Sequence, residues 1–293
     1  MLDRLKGALS ADTEPTDQKR VETKFGDGMP RFQPQPGGFG RRATPVGGTA
    51  PQPKEIDAAA SGGQPQFQKR DATGAAASTS GEPALGDIPT RIADWLMREL
   101  KDQRGIHCET ILTVAGALAG FSAQQALWEG MVKPGKLAIT EAFTVMETPT
   151  GATYFFGDTL DALITSMEPK HLSIWKIVAG GTLVTGGDHL PDMGNLLRHC
   201  AATAGTSAFG LPRLPDDHLP SIMPRGALER FWPGARLLLA LAEPLHWPIH
   251  MAQATQKLMH AMKGAITPDL AVRIVMEAAV PMSRVDPATV PNN

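Results

Sequence analysis

The sequence predicts a mainly α-helical fold, a compact multi-helix domain around one buried central helix, and three observations support this. The most apolar stretch of its length runs from Gly105 to Trp128, and its apolar residues do not keep to one stripe. That pattern is typical of a helix surrounded by other helices. Only one region, 142–156, has the composition of a small β-hairpin. Large aliphatic residues are nearly absent before Leu85, so a long disordered tail is predicted to precede the domain.

The central stretch carries small residues in rows. Ala115, Ala119 and Ala123 recur every four residues, and Gly116 and Gly120 form a parallel row beside them. Such rows let a second helix approach closely. Glycine costs about 1 kcal/mol relative to alanine inside a helix, so we expect close packing that offsets this cost. A transmembrane helix needs about 20 consecutive apolar residues, and the uninterrupted apolar part of this stretch is shorter. No transmembrane segment is therefore predicted.

The chain divides by composition into three regions. Residues 1–84 are rich in Gly, Pro, Gln and Ala and are predicted to be disordered, with a short amphipathic helix over residues 1–10. Residues 85–287 are predicted to form a single helical globular domain. Residues 288–293 are predicted to be a frayed C-terminus.

The first elements of the domain are predicted from caps and turn residues. A helix entry at Asp87-Ile88-Pro89-Thr90 leads into an apolar stripe that ends near Leu100. A polar break precedes the central helix, which ends near Pro134. In the hairpin, the segments AFTVME and ATYFF flank the turn Thr148-Pro149-Thr150-Gly151.

Six more helices are predicted after the hairpin, separated in the middle by a proline-rich loop over 209–224. The adjacent glycines 180 and 181 predict a break in the second of these helices, and Pro233 predicts a kink or a late start in the fourth. Polar caps and prolines set most of the predicted starts. These starts are Asp158 as a cap, His171, Pro191 at the first helical position, Ala227, Trp247-Pro248 and Thr267-Pro268.

Composition excludes several classes of function. The formal net charge is −2, from 28 basic and 30 acidic residues, so no nucleic-acid partner is predicted. Two cysteines, and an N-terminus without an apolar signal segment, predict a reducing, cytoplasmic location. No phosphate loop, dinucleotide-binding glycine pattern, nucleophile elbow or zinc-ribbon spacing is present, so no cofactor and no tightly held metal are predicted.

The first candidate site is His107-Cys108-Glu109 at the start of the central helix. A thiol near a helix N-terminus can have a lowered pKa, and a neighbouring histidine can assist it. The alternative is that Cys108 fills the core and Glu109 complements the helix dipole.

The second candidate site begins at Asp188 and His189. On a helix that starts at Pro191, Asp192 and His199 would share one face, so these residues could hold a divalent metal or orient a general base. The alternative is an ordinary solvated helix face. His246 and His250 are also four residues apart, but the intervening Pro248 argues against a shared helix face and hence against a metal site.

Three functions remain open from the sequence. The leading hypothesis is a binding module whose disordered tail recruits a protein partner or tethers the domain. The alternative is a metal-dependent hydrolase with a site around Asp188, His189, Asp192 and His199. The third is a small-ligand pocket or a homo-oligomer built on the Ala/Gly face of the central helix.

Overall fold

A computed structural model describes residues 88–292 of the chain. The predicted tail over 1–84, including the short helix over 1–10, lies outside the described residues, as does Asn293. Over the described range the fold is mainly helical, with a buried central helix and two small antiparallel strand pairs. The predicted fold class of this part of the chain is therefore confirmed.

The elements are numbered in chain order through the described range. A π-helical turn, Trp128–Val132, extends the second helix, and short 3₁₀ turns lie at Asp216–His218, Pro244–His246 and Pro287–Thr289. The helices and strands are α1 (Ile88–Glu99), β1 (Lys101–Asp102), β2 (Gly105–Ile106), α2 (Cys108–Leu127), α3 (Ile139–Ala142), β3 (Thr144–Glu147), β4 (Thr153–Phe156), α4 (Asp158–Thr165), α5 (Ile174–Thr185), α6 (Met193–Thr203), α7 (Pro224–Leu239), α8 (Trp247–Ala261) and α9 (Pro268–Met282).

The central helix α2 is enclosed by the rest of the domain. Every residue from Thr110 to Leu127 is buried, and α7, α8 and α9 pack around the helix. Residues Cys108–Val132 are long and apolar enough to span a membrane by length and composition alone, and the most apolar window of this segment is entirely buried within the structure. Helices α1 and α5 form a second layer, because both pack mainly on α8.

Helix α9 approaches α2 at its two glycines. A Cβ atom on Gly116 would lie 2.4 Å from the carbonyl oxygen of Val275, and one on Gly120 would lie 1.9 Å from that of Ala279. The close packing predicted from the glycine row is therefore present. Ala115 and Ala119 are also fully buried. The Ala/Gly face is thus covered by the chain itself, and a ligand pocket or homo-oligomer interface on that face is ruled out.

The predicted hairpin forms and lies on the helical core. Strands β3 and β4 pair antiparallel, with Thr144 opposite Phe156 and Glu147 opposite Thr153. Below it, the ring of Phe155 packs edge-on against that of Phe143, with centroids 5.5 Å apart. A bridge between Tyr154 and Val285 joins the hairpin to the segment after α9.

Two predicted helix boundaries are wrong. Pro191 does not occupy the first helical position, because Asp192 caps α6 by accepting a hydrogen bond from the backbone N–H of Asn195 at 3.0 Å. The glycine pair does not break α5, which continues to Thr185 with Ser173 as its cap. Gln256 of α8 lies against Gly181, so this glycine makes room for a neighbour instead of ending the helix.

Two further segments differ from their predictions. Helix α7 begins at Pro224, before the predicted Ala227, and includes Pro233, so this proline does not delay its start. The polar break before α2 contains the two-residue pair β1–β2, with Lys101 opposite Ile106 and Asp102 opposite Gly105.

The C-terminal residues 288–292 are held to the domain, unlike the frayed end that the sequence predicts. Val290 is 3% exposed, and the indole N–H of the buried Trp232 donates to Oδ1 of Asn292 at 3.2 Å. The guanidinium of Arg225 donates to the carbonyl oxygen of Thr289 at 3.0 Å. An apolar side chain and a buried donor that needs an acceptor account for this order.

The α2–α9 contact predicts opposite effects for two glycine substitutions. Gly120→Ala is expected to destabilise the domain by about 1–3 kcal/mol or more, because the added methyl group meets the backbone of Ala279. Gly180→Ala is the matched control in α5, where a Cβ atom has nothing within 4 Å, and it is expected to stabilise by roughly 0.5–1 kcal/mol. Urea unfolding curves would measure both changes. Equal stability of the two variants would contradict the proposed close contact.

Candidate functional site

A cleft with a volume of about 610 Å³ opens beside the N-termini of α6 and α9, and we call it the polar cleft. One wall is α9, another is the start of α6 with the segment before it, and the loop that carries Arg213 completes it. Its lining side chains include both acids and bases: His189, Leu190, Pro191, Asp192, Asn195, Leu196, Arg213, Thr267, Asp269, Leu270, Arg273 and Glu277.

The acidic end of the polar cleft is built around His189. Its Nδ1 atom hydrogen-bonds to Oδ1 of Asp188 and lies 3.3 Å from Oδ2 of Asp269. The backbone N–H of Asp188 donates to Oδ1 of Asp269 at 3.0 Å. The hydrogen bond with Asp188 and its negative charge, followed by those of Asp269, raise the pKa of His189 above its usual value.

Local backbone conformation brings these three side chains together. Gly186 ends α5 with a φ of +98°, a left-handed conformation that favours glycine, and turns the chain towards α9. The next residue, Gly187, is buried against the carboxylate of Asp269. Asp269 itself lies in the first turn of α9, where the helix dipole favours a negative charge.

The three side chains have the donor atoms of a metal site. Each side chain offers one ligand atom, and these three atoms, from Asp188, His189 and Asp269, all lie within 4.8 Å of one another. Carboxylate oxygens with an imidazole nitrogen suit divalent ions such as Mn²⁺ or Zn²⁺. The side chains of Asp188 and His189 are 81% and 83% exposed, so the cluster stands at the mouth of the cleft.

The basic part of the polar cleft is organised by a buried carboxylate. The side chain of Glu277 is 6% exposed and accepts a hydrogen bond from Nε of Arg213 at 3.0 Å, and Nη2 of the same guanidinium lies 2.9 Å from Oε1 of Glu277. Nη1 of Arg213 donates to Oδ1 of Asn195 at 2.8 Å. Arg213 is therefore fixed from two sides.

A second guanidinium lies beside this pair. Arg273 of α9 donates through Nη2 to the carbonyl oxygen of Arg213. Among the described residues, no carboxylate oxygen lies within 4.0 Å of the Arg273 guanidinium. Arg273 is thus held in place while most of its N–H donors are available to a ligand.

The acids and the base on α9 share one face of that helix. Asp269, Arg273 and Glu277 are four residues apart in turn, and each side chain lines the polar cleft. Steps of four residues correspond to roughly 6 Å along a helix axis. The wall of the cleft therefore presents a carboxylate, a guanidinium and a second, neutralised carboxylate in sequence.

The structure gathers only part of the predicted second site. Asp188 and His189 come together, and Asp192 caps α6 and lines the same cleft. His199 lies nearly two turns further along α6, is half-buried, and is not among the lining side chains. Asp269 completes the cluster, and no local pattern around residues 188–199 indicates it.

His107 and Cys108 lie at the start of α2 and do not line the polar cleft. The Sγ atom of Cys108 contacts Sδ of Met262 at 3.4 Å. Burial, and then the negative charge of Glu109, raise the pKa of this thiol. The lowered pKa that a reactive thiol requires is not found.

Glu109 instead takes part in a small polar cluster. Nδ1 of His218 lies 2.8 Å from Oε1 of Glu109, and Nε2 of His107 lies 3.4 Å from Oε2. Burial alone raises the pKa of Glu109, but the hydrogen bond from His218, its backbone contacts and the charges of His107 and His218 lower it overall. The cluster ties α2 to the 3₁₀ turn that contains His218.

The rings of His246 and His250 have centroids 6.4 Å apart. Burial, followed by the charge of His246, lowers the pKa of His250. His246 precedes the first turn of α8 as its cap, in agreement with the prediction that Pro248 opens the helix and leaves His246 outside it.

Sequence reasoning did not single out Arg284, which is 1% exposed. Its Nη2 atom donates to Oδ1 of Asp161 in α4, and its guanidinium lies 5.3 Å from the ring centroid of Phe156. Burial raises the pKa of the nearby Cys200 thiol to about 11, against the opposing charge of Arg284. Arg284 therefore joins α4 to the segment after α9, and it is the burial of Cys200 that makes this thiol unreactive.

Comparison with protein-family models, curated proteins and solved structures finds no match to this chain. The geometry of the chain's own residues therefore carries the functional conclusion.

The acidic end of the polar cleft predicts an elevated pKa for one histidine. His189 is expected to titrate above the ordinary value of about 6.5, because Asp188 and Asp269 stabilise its protonated form. Asp188→Asn should lower this pKa more than Asp269→Asn, and Asp192→Asn should leave it unchanged. Two-dimensional NMR of the imidazole protons against pH would measure all four. If neither Asp188→Asn nor Asp269→Asn changed the pKa of His189, the arrangement of these side chains would be contradicted.

Proposed function

We propose that the domain is a binding module whose binding site is the polar cleft, and that its ligand is a short polar segment of a partner protein. That segment would carry an anionic and a cationic group. The observation that carries this proposal is the stripe on α9, in which Asp269 and Arg273 line one wall about one helical turn apart.

Pre-organisation supports the proposal at the basic part of the cleft. Glu277 neutralises Arg213 and fixes it, and the backbone of Arg213 in turn holds Arg273. A guanidinium fixed before binding recognises a carboxylate with two parallel hydrogen bonds and loses little side-chain entropy. Arg273 is therefore assigned to the anionic group of the ligand.

The acidic end supplies the complementary charge. Asp188 and Asp269 flank His189, and their carboxylates can accept hydrogen bonds from a lysine or arginine of the partner. Opposite charges at fixed separation set the direction in which a segment binds, and they disfavour partners with the reverse order.

The N-terminal tail, residues 1–84, is assigned the recruiting or tethering role in this proposal. Its support is the composition of the sequence, which is poor in large aliphatic residues. The cytoplasmic location and the lack of a nucleic-acid partner likewise stay predictions from composition. The possible homo-oligomer stays a prediction that the covered Ala/Gly face no longer supports.

Selection from a display library of random heptapeptides against the full chain tests the binding module. Enriched peptides are expected to carry both an acidic and a basic residue. Arg273→Ala should weaken their binding at least tenfold, about 1.4 kcal/mol, because the carboxylate of the peptide loses the guanidinium that binds it. Isothermal titration calorimetry measures the affinities.

The matched control for this experiment is Arg98→Ala, which removes an exposed arginine of α1 outside the polar cleft. It should leave the affinity unchanged. A chain without residues 1–84 should also keep its affinity, since the cleft lies wholly within the described domain. Peptides that bind wild type and Arg273→Ala equally would refute the assigned site.

The second candidate function is a metal-dependent hydrolase. The observation that favours it is the cluster of Asp188, His189 and Asp269. In this cluster Asp269 takes the place that the sequence prediction gave to Asp192 and His199. A divalent ion held there would lower the pKa of a bound water and provide a nucleophile at neutral pH.

Metal titration tests this candidate. Zn²⁺ or Mn²⁺ is expected to raise the melting temperature and to support hydrolysis of p-nitrophenyl esters or phosphates. Asp269→Asn and His189→Ala should abolish both effects. His171→Ala is the control, since His171 is an exposed histidine bonded to Glu168 at 2.9 Å and outside the cluster. A melting shift that survives in Asp269→Asn would assign the metal to another place and end this candidate.

A further inference from the structure

A second cleft lies between α1, α5 and α8, and we call it the apolar cleft. Its volume is about 460 Å³, within the range of roughly 300–1,000 Å³ typical of small-molecule sites. It shares no lining residue with the polar cleft. Its lining includes the apolar residues Ala93, Met97, Val184 and Ala261 and the charged residues Asp94 and Lys257.

The walls of this cleft combine buried and exposed apolar side chains. Ala93 and Leu258 belong to the core, at 5% and 0% exposed, yet they also line the cleft. Val184 is 83% exposed. A single exposed valine is ordinary on a protein surface, but here it borders a concave apolar surface that continues into the core.

Small residues line the facing helices. Gly181 of α5 has no side chain, and a Cβ atom there would lie 2.7 Å from Cγ of Gln256, so the side chain of Gln256 packs directly on the backbone of α5. Ala93 on α1 and Ala261 on α8 are the short apolar residues of the lining. Larger residues at these two alanines would narrow the cleft.

Two basic side chains lie on the same helix at one side of this apolar surface. Lys257 and His260 are three residues apart on α8, and both line the cleft and are exposed. Among the described residues, no carboxylate oxygen lies within 4.0 Å of the Lys257 ammonium group. Asp94, the acid among the lining residues, belongs to α1, so the positive charge of the lining lies on α8 at Lys257.

We propose that the apolar cleft binds a small amphiphilic carboxylate. The apolar chain of the ligand packs against Met97, Val184 and Ala261, and its carboxylate binds beside Lys257 and His260. Charge complementarity supports this class of ligand, because an apolar surface with an unpaired ammonium group and an imidazole beside it favours an apolar body with an anionic, hydrogen-bond-accepting head. This inference concerns a different site from the polar cleft and does not depend on the function proposed there.

Decanoate is the probe for the first experiment, with the full chain labelled with ¹⁵N. Decanoate, kept below its micelle concentration, should shift the backbone amide signals of Val184, Lys257 and their neighbours in a saturable way. Val184→Asp should weaken binding at least tenfold, because it places a carboxylate against the apolar chain of decanoate and adds a charge of the same sign as its head group. Leu237→Asp is the matched control, since Leu237 is 76% exposed on a helix outside this cleft, and it should bind like wild type.

A neutral analogue separates the roles of the two parts of the ligand. Lys257→Gln should weaken decanoate at least fivefold while leaving 1-decanol unchanged, and Lys263→Gln should affect neither. Ala261→Asp provides a second test of the apolar wall should Val184→Asp fail to fold. The proposal is overturned by the absence of saturable shifts up to 1 mM decanoate, by shifts at other residues, or by equal binding to wild type and a folded variant of the apolar wall.

Discussion

Two carbonyl groups of α9 lie where side chains of α2 would otherwise stand, and this contact constrains the rest of the domain. Because Gly116 and Gly120 are the positions that meet Val275 and Ala279, a one-residue slide would place side chains against that backbone. The register and rotation of α9 are thereby fixed. With that face turned towards α2, the stripe of Asp269, Arg273 and Glu277 is directed into the polar cleft. The packing of small residues in the core thus determines the geometry of the charged groups at the surface.

Much of this fold follows from local patterns in the sequence. An apolar stretch without a polar face predicts a buried helix. Two segments rich in β-branched and aromatic residues on either side of a Thr-Pro-Thr-Gly turn predict the hairpin. Both patterns depend only on neighbours along the chain. The errors arise where a neighbour in space decides. Gly181 accommodates Gln256 of α8 within a continuous helix, and Val290 and Asn292 become ordered through α7 and its surroundings. A single sequence does not specify those neighbours.

The site is less accessible to such reasoning than the fold. Asp188 and His189 attract attention as adjacent polar residues, but Asp269 is 81 residues further along the chain from Asp188. His199 was predicted from helix periodicity, which tells which residues share a face and not what that face meets. One signal was available in the sequence: Asp269, Arg273 and Glu277 recur every four residues in an otherwise apolar helix. Buried Arg284 has no comparable signature, because its partner Asp161 belongs to another helix.

The order of α2 and α9 in the chain has a consequence for biosynthesis. Helix α2 is translated roughly 140 residues before α9, so the ribosome has still to make most of the domain when this buried helix emerges. At about 5–20 residues per second, α2 stays without its principal neighbour for on the order of 10 s. During that interval its apolar surface is available to chaperones and to other nascent chains. A premature stop codon anywhere before α9 would make this exposure permanent, so truncated products become clients of quality control and not partly active domains.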